Sequence, residues 1–445
     1  MKIFLSLLLL CSLRCKETVK LSMQFFRHGA RTETSFRGPP FPPASTYDKG
    51  QLTPVGMKGH YLLGIQMRKS YPDLYPQVYD QTRHVVYASD IARTMESATA
   101  HLYGLYGKNS PREEEKVDPE LSQPPIEPKA PDLPPFDTPL PFGFVPIPIL
   151  TTLEENDSMF INHCKAFKEK KSGRAKEIYQ SIEDSFKSIM HRIAKENFGP
   201  ELIGKSEMSV KNADKICQAI VPRTFSFKEF KASDELVLQC SHLRNIINFQ
   251  THVEPKDVRT LNSNLFKLIL RYFSMVRTDT HPSVVSVFTH DTFMTNLIRG
   301  LNPNLLDCAT HHYLEEYEKH EISEEAKGKF CIRHLTFASS FIFEVFADDE
   351  APEELRVRLL FNGKLFPIMS EQMEMSLAVF ERFLSSEIDP EIDFVCMHPR
   401  SKRIPESKNL VFWALASTAL ALASILVFFK KWRKASATFY KKITE

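Results

Sequence analysis

The sequence predicts an α/β fold: a doubly wound, mostly parallel sheet with helices on both faces, a helical cap domain, and one C-terminal transmembrane helix. Three observations predict it. Short apolar runs of strand character recur far apart in the chain, at residues 19–25, 85–87 and 284–288. Each is followed at once by polar, chemistry-bearing side chains, and in open α/β sheets ligands lie beyond the carboxyl ends of the strands. Residues 410–429 carry no charge and are long enough to cross a bilayer.

The elements follow in chain order. Lys2 and the apolar run behind it have the form of a secretory signal, placed at residues 1–15. Val19, Leu21, Met23 and Phe25 then alternate with Lys20, Ser22 and Gln24, a strand with one face towards a core. It delivers Arg27-His28-Gly29-Ala30-Arg31. Two guanidiniums offer planar forks of donors suited to phosphate, and a neutral imidazole between them is a competent nucleophile. The arrangement points to phosphoryl chemistry with His28 as the covalent carrier.

The run at 85–87 leads to Ser89-Asp90 and to Arg93, in the first turn of a helix. Alone, Arg93 fits a helix-surface ion pair equally well. The run at 284–288 ends in Thr289-His290-Asp291. Asp291 also suits the N-cap of a helix over residues 292–298, and capping does not exclude catalysis. One sheet could bring all three clusters to a single edge.

Between these strands the pattern changes. Residues 110–150 are rich in proline, including Pro124-Pro125 and Pro134-Pro135, so they connect as extended chain. Glu113-Glu114-Glu115 makes the first half a solvated excursion. Within residues 151–250, Ile178, Ile182, Phe186, Ile189 and Ile193 recur at helical spacing, the core-facing side of a cap. The core is then discontinuous, residues 16–109 and 251–405, with a charged loop between Glu315 and Phe330.

With these motifs in place, the chain resembles the histidine acid phosphatase family, the two-domain branch of the histidine phosphatase superfamily, and is most like its lysosomal and prostatic members. The likeness runs from about Val19 to about Cys396. It rests on the first motif, on Gln51-Leu52-Thr53-Pro54-Val55-Gly56-Met57 continuing to Tyr61 and Leu63-Gly64, on Ala88-Ser89-Asp90 with Ala92-Arg93-Thr94, and on His290-Asp291-Thr292. It implies Arg27, Arg31, Arg93 and His290 as phosphate ligands, His28 as nucleophile and Asp291 as general acid. The activity it implies is acid phosphomonoester hydrolysis without a cofactor, favoured at low pH because Asp291 must be protonated, with the cap deciding which alcohol fits. Thr32-Glu33 after the first motif differs from the proline often found there. A binding protein that keeps the domain without catalysis is the reading from another class; an inositol-phosphate phosphatase is the nearer alternative.

The remaining features set compartment and covalent chemistry. Lys430, Lys431, Arg433 and Lys434 follow the apolar stretch, and Trp413 and Trp432 sit at its ends, so residues 430–445 are expected in the cytoplasm. The catalytic domain is then lumenal or extracellular, in a lysosomal, endosomal or cell-surface membrane. Tyr440 and Ile443 in that tail resemble a sorting signal read by adaptor complexes. Cys164, Cys217, Cys240, Cys308, Cys331 and Cys396 are an even set for an oxidising compartment. Their spacing assigns no partners; the resemblance implies Cys164 with Cys396 and Cys217 with Cys308, which leaves Cys240 and Cys331. None has zinc-site spacing. Asn156 heads a glycosylation sequon. A net charge of +2 argues against binding nucleic acid, and no repeat or heptad bears on oligomeric state.

Overall fold

In the computed structural model, β1 (Glu17–Arg27) lies at the centre of a sheet with β2 (His84–Ala88), β3 (Val284–Thr289), β4 (Ser340–Asp348), β5 (Ala351–Phe361), β6 (Lys364–Phe366) and β7 (Glu374–Ser376). The structure describes residues 17–34, 49–107, 146–151, 174, 176–183, 209–226, 232–250, 255–278, 281–302, 305, 332, 335–369 and 371–390. The expected signal, most of the proline-rich connection, the 315–330 loop, residues 410–429, Tyr440 and Ile443 lie outside them. So do Asn156, Cys164, Cys308, Cys331 and Cys396. Among the described residues no helix is long and apolar enough to cross a membrane. The chain divides into two compact units, Met1–Asp393, which holds every described element, and Phe394–Glu445.

The strand order is β2-β3-β1-β4-β5-β6, with β7 also on β5. Only β2, β3 and β1 run parallel; β1–β4, β4–β5, β5–β6 and β5–β7 are antiparallel. The sheet is therefore mixed, not mostly parallel. Two-residue connections dictate this for β4, β5 and β6, because adjacent parallel strands need a long crossover. Asn362 (φ 48°) and Gly363 (φ 78°) form the two-residue turn that joins β5 to β6, and left-handed residues there match the twist of the strands.

Helices cover both faces. On one, α1 (Pro54–Ser70) and α2 (Ala92–Tyr106) pack Met67, Leu102 and Leu105 against Phe26, Val86 and Phe288. α3 (Val210–Ser226) and α4 (Asp234–Gln250) form a core of their own, described below. On the other face, α5 (Pro255–Met275), α6 (Asp291–Leu301) and α7 (Leu377–Ser386) pack Phe266, Leu297 and Phe380 against Phe25, Val287 and Phe343. Leu150 caps the free edge of β2 by exchanging hydrogen bonds with Ala88 and Val86.

Double coverage corrects the one-faced reading of the first strand. Residues 21–26 are all buried. The polar members of the alternation are satisfied inside: Gln24 Nε2 donates to Ser22 Oγ at 3.0 Å, and Tyr75 OH donates to Gln24 Oε1 at 2.8 Å. Period two here separates an apolar layer from a hydrogen-bonded one rather than core from solvent.

The α3–α4 pair buries Val210, Ile220, Leu243 and Ile246 together with Ile178 and Ile182. Phe186, Ile189 and Ile193 fall outside the described residues. Cys217 and Cys240, both fully buried, form a disulfide across this pair with their Cα atoms 4.9 Å apart. This overturns the expected pairing of Cys217 with Cys308 and of Cys240 with Cys331. Consecutive antiparallel helices bring mid-helix side chains into contact, and a cysteine makes one such bond.

Candidate active site

The parallel order β2-β3-β1 places three strand ends side by side. His28 follows β1, Ser89 follows β2 and His290 follows β3. The ladder extends past the strands: His28 N donates to Thr289 O at 2.9 Å, and Ser89 N donates to Phe288 O at 3.1 Å. Beneath the first motif lies the start of α1. Thr53 is its N-cap, accepting from Gly56 N and donating to Ala30 O, and Pro54 fits the first turn, where no N–H is needed. A Cβ on Gly29 would meet Gly56 O at 2.5 Å, and one on Gly56 would meet Ala30 O at 2.2 Å. The two glycines let the motif loop sit directly on the helix end.

The six side chains expected at the site come together here. Arg27 Nη2 is 2.9 Å from Asp291 Oδ2. The rings of His28 and His290 are 5.4 Å apart. Arg93 Nη2 donates to His290 Nδ1 at 3.3 Å, so the ring proton lies on Nε2, 2.9 Å from Ser89 Oγ. Arg31 Nη1 donates to Thr32 O at 2.9 Å. Asp291 opens α6 as its first helical residue, and its Oδ1 accepts from Thr292 N. The N-cap position belongs to His290, which corrects the placement of Asp291 there. A carboxylate in the first turn still faces the positive end of the helix.

His28 has a defined tautomer. Its Nδ1 lies 2.8 Å from Gly29 O, and a carbonyl only accepts, so Nδ1 carries the proton. Nε2 keeps its lone pair. Burial, then the charges of Arg27, His290 and Arg93, hold the ring well below its ordinary pKa, so it is neutral. Burial and Arg93 likewise push His290 down to about 3. Burial, Arg93 and Arg27 bring Arg31 down to about 9, still a cation at working pH.

Asp291 departs from expectation. Burial raises its pKa, but Arg27, Arg244 and Arg31 outweigh that and hold the carboxyl well below the carboxylate range. The resting group is ionised, not the protonated acid expected from the sequence.

Several contributors carried no signal in the sequence. Arg244, on α4, lines the same pocket and is held at 2.9 Å by Asp214 Oδ1 on α3. Tyr179 OH and Gln218 Nε2 fix the other oxygen of Asp214. Phe337 lies under the guanidiniums, 4.5 Å from Arg27 and 6.0 Å from Arg31. Arg27 also bonds Leu335 O. Ala338, in the left-handed region at φ 61°, donates to His28 O. These residues lack periodicity or motif spacing; only the fold brings them in.

The pocket encloses about 250 Å³ and opens between the motif loop, α3 and α4. Val221, Pro222, Phe225 and Val237 form an apolar wall facing the charged floor. Four guanidiniums, from Arg27, Arg31, Arg93 and Arg244, converge against the carboxylates of Asp291 and Asp214. Asp234 adds a further carboxylate to the lining, and the charges still leave the site net positive, suited to an anionic phosphate ester. Among the described residues no cluster of His, Cys, Asp and Glu is arranged to hold a metal ion.

The family model for the histidine phosphatase superfamily (branch 2) matches residues 12–362. Lysosomal acid phosphatase of Xenopus laevis is 41% identical over 63 residues, 14% of this chain and 15% of that protein. Prostatic acid phosphatase of Bos taurus is 37% identical over 112 residues, 23% of this chain and 29% of that protein. The matched stretches thus span less than a third of either curated relative. The phytase of Citrobacter braakii superposes with a TM-score of 0.53 at 15% identity, over 84% of this chain and 99% of that one. Hafnia alvei phytase in complex with tartrate gives 0.57 at 12% identity, over 84% and 98%. At these identities the likeness is one of fold.

Proposed function

The chain belongs to the histidine phosphatase superfamily (branch 2), and we propose that it is an acid phosphomonoesterase working through a phosphohistidine at His28. The observation that carries the reading is the neutral, singly protonated imidazole whose free Nε2 sits among converging guanidiniums. Arg27, Arg31, Arg93 and His290 bind the phosphoryl oxygens, where fixed donors stabilise the charge that spreads over them in the transition state. His28 Nε2 attacks phosphorus as the P–O bond to the alcohol breaks.

The leaving alkoxide takes its proton from Asp291. The resting carboxylate acquires that proton from the ester, whose monoanion carries one below its second ionisation near pH 6. Binding an anion also offsets the guanidinium charges that keep Asp291 ionised. In the second half-reaction water attacks phosphorus as the P–Nε2 bond breaks, Asp291 accepts the water's proton, and phosphate leaves with His28 restored.

The wall of the pocket favours a small or apolar alcohol over a polyphosphorylated one. Its lining is mainly apolar, and Arg244, the added cation, is already paired with Asp214. That is the reason to prefer a simple monoester to the inositol phosphates suggested by the phytase fold. The signal-like start and the charge-free residues 410–429 support a lumenal or extracellular domain on a single-pass anchor, with Tyr440 and Ile443 available to adaptors. Acid-quench labelling tests the core claim. The wild-type protein should trap an acid-labile phosphoryl group, and His28→Ala should lose it together with at least about a thousandfold of turnover. Undiminished hydrolysis by His28→Ala would end the proposal.

A further inference from the structure

Glu33 lies two residues past Arg31, just beyond the first motif, and the structure shows what it does there. Its carboxylate is buried, with the Oε1 atom 2.8 Å from Arg223 Nη2 on α3. The two side chains are only 5% and 6% exposed, which makes this an interior ion pair rather than a surface one. The second carboxylate oxygen is buried and has no hydrogen-bond partner among the described residues. The carboxylate depends on this partner, because removing Arg223 would leave it charged in a low-dielectric interior without its ion pair.

Each end of the pair is tied to a different wall of the site. On one side, Arg31 Nη1 rests on the carbonyl of Thr32, next to Glu33 in the chain. Thr32 N donates to Gln51 O and Glu33 O accepts from Gly50 N, so this short segment is braced as a unit. On the other side, Arg223 is flanked by Pro222 and Phe225, which face the pocket. Cys217 fastens the same helix to α4, and α4 carries Arg244 and Val237. Neighbouring contacts across this interface are neutral and long: Thr34 Oγ1 to Gln218 Oε1 at 3.5 Å and Thr53 Oγ1 to Ser226 Oγ at 3.3 Å.

We infer that the Glu33–Arg223 ion pair is a positioning device, holding the Arg31 segment and the α3–α4 wall in the one arrangement that binds the phosphate ester. Neither residue touches the reacting atoms. The inference rests on the phosphomonoesterase reading, so its test measures equilibrium binding of inorganic phosphate as well as turnover.

Titration calorimetry with inorganic phosphate, well below the melting temperature of each variant, gives the decisive comparison. Glu33→Gln and Arg223→Gln should each weaken phosphate binding about tenfold and raise KM similarly, with kcat within about threefold of wild type. The double variant Glu33→Gln/Arg223→Gln lacks the same one interaction that each single variant lacks, so it should bind within about threefold of the singles rather than the roughly hundredfold below wild type that two independent effects would give. Glu33→Asp keeps the charge and folds, yet draws the carboxylate back by one methylene; it should bind about fivefold more weakly. Folded single variants, or Glu33→Asp, that bind phosphate like wild type would overturn the inference, as would a double variant that binds like wild type or whose loss is the full product of the two single losses. A wild-type protein that fails to bind inorganic phosphate would instead remove the phosphomonoesterase reading itself.

Discussion

At His28 a single hydrogen bond decides which nitrogen can react. The Gly29 carbonyl fixes the proton on Nδ1, and burial among cations keeps the ring neutral, so nucleophilicity is built into the resting state. Asp291 is set the other way. Its pKa is lowered, so it stays ionised through the whole acidic working range and cannot by itself cause an acid optimum. The acid preference then belongs to the substrate. We expect kcat/KM to fall about tenfold per pH unit above the second ionisation of the ester, near pH 6 for ordinary esters. An ester with a lower second pKa should move that break down with it; a break that stays put would mean that an enzyme group titrates instead. Asp291→Asn should lower kcat about 10²–10⁴-fold for an alkyl phosphate. The loss should be far smaller for nitrophenyl phosphate, whose leaving group needs no proton. Equal losses with both esters would assign Asp291 to binding rather than proton transfer.

At the scale of elements, the close crossing of α1 and α2 supports the face of the sheet behind the site. A Cβ on Gly104 would meet Tyr61 O at 2.0 Å, and one on Gly64 would meet His101 O at 2.1 Å. Gly104→Ala should therefore separate the helices and cost about 1–3 kcal/mol, read as a lower urea midpoint. A midpoint at or above wild type would show that the crossing has slack. Leu63-Gly64 was visible as a motif; its reason, backbone contact with another helix, was not. The same division runs through the molecule. Arg27, His28, Arg31, Arg93, His290 and Asp291 were legible because chemistry needs those types directly behind strands. The antiparallel half of the sheet was not foreseen, although Asn362-Gly363 is a strong hairpin signal in plain view. Cys217–Cys240 depends on how two helices meet, and Arg244 reaches the pocket only through packing against Asp214. Such facts are properties of tertiary contact and have no local pattern to announce them.

Taken as a whole, the molecule sets its acid chemistry on an acid-sensitive body. On the face of the sheet covered by α1 and α2, His60 and His101 are fully buried against Phe26 and Phe288, and His84 is fully buried among Tyr75, Tyr79 and Tyr106. Burial lowers His60 to about 4 and His84 to about 3, and it takes His101 well below the ordinary range. In the unfolded chain each titrates near 6.5. Between about pH 6.5 and pH 4 the unfolded state therefore binds protons that the folded state refuses, and stability must fall as pH falls. With His28 and His290, which burial and the guanidiniums hold down in the same way, five such groups give a slope of roughly 7 kcal/mol per pH unit where all are fully coupled. His60 adds a link to the site, since its Nε2 donates to the carbonyl of Arg27 at 3.0 Å. Turnover that improves below pH 6 and a fold that weakens below 6.5 leave a working window of about two pH units. Urea midpoints should decline steadily from pH 7 to pH 4. His101 has no hydrogen-bond partner among the described residues and packs on Phe26 and Phe288, so His101→Phe removes a titrating group without orphaning another. Whatever it does to stability at pH 7, it should flatten the decline by about a fifth, and a decline of unchanged slope would show that these buried imidazoles do not govern acid lability.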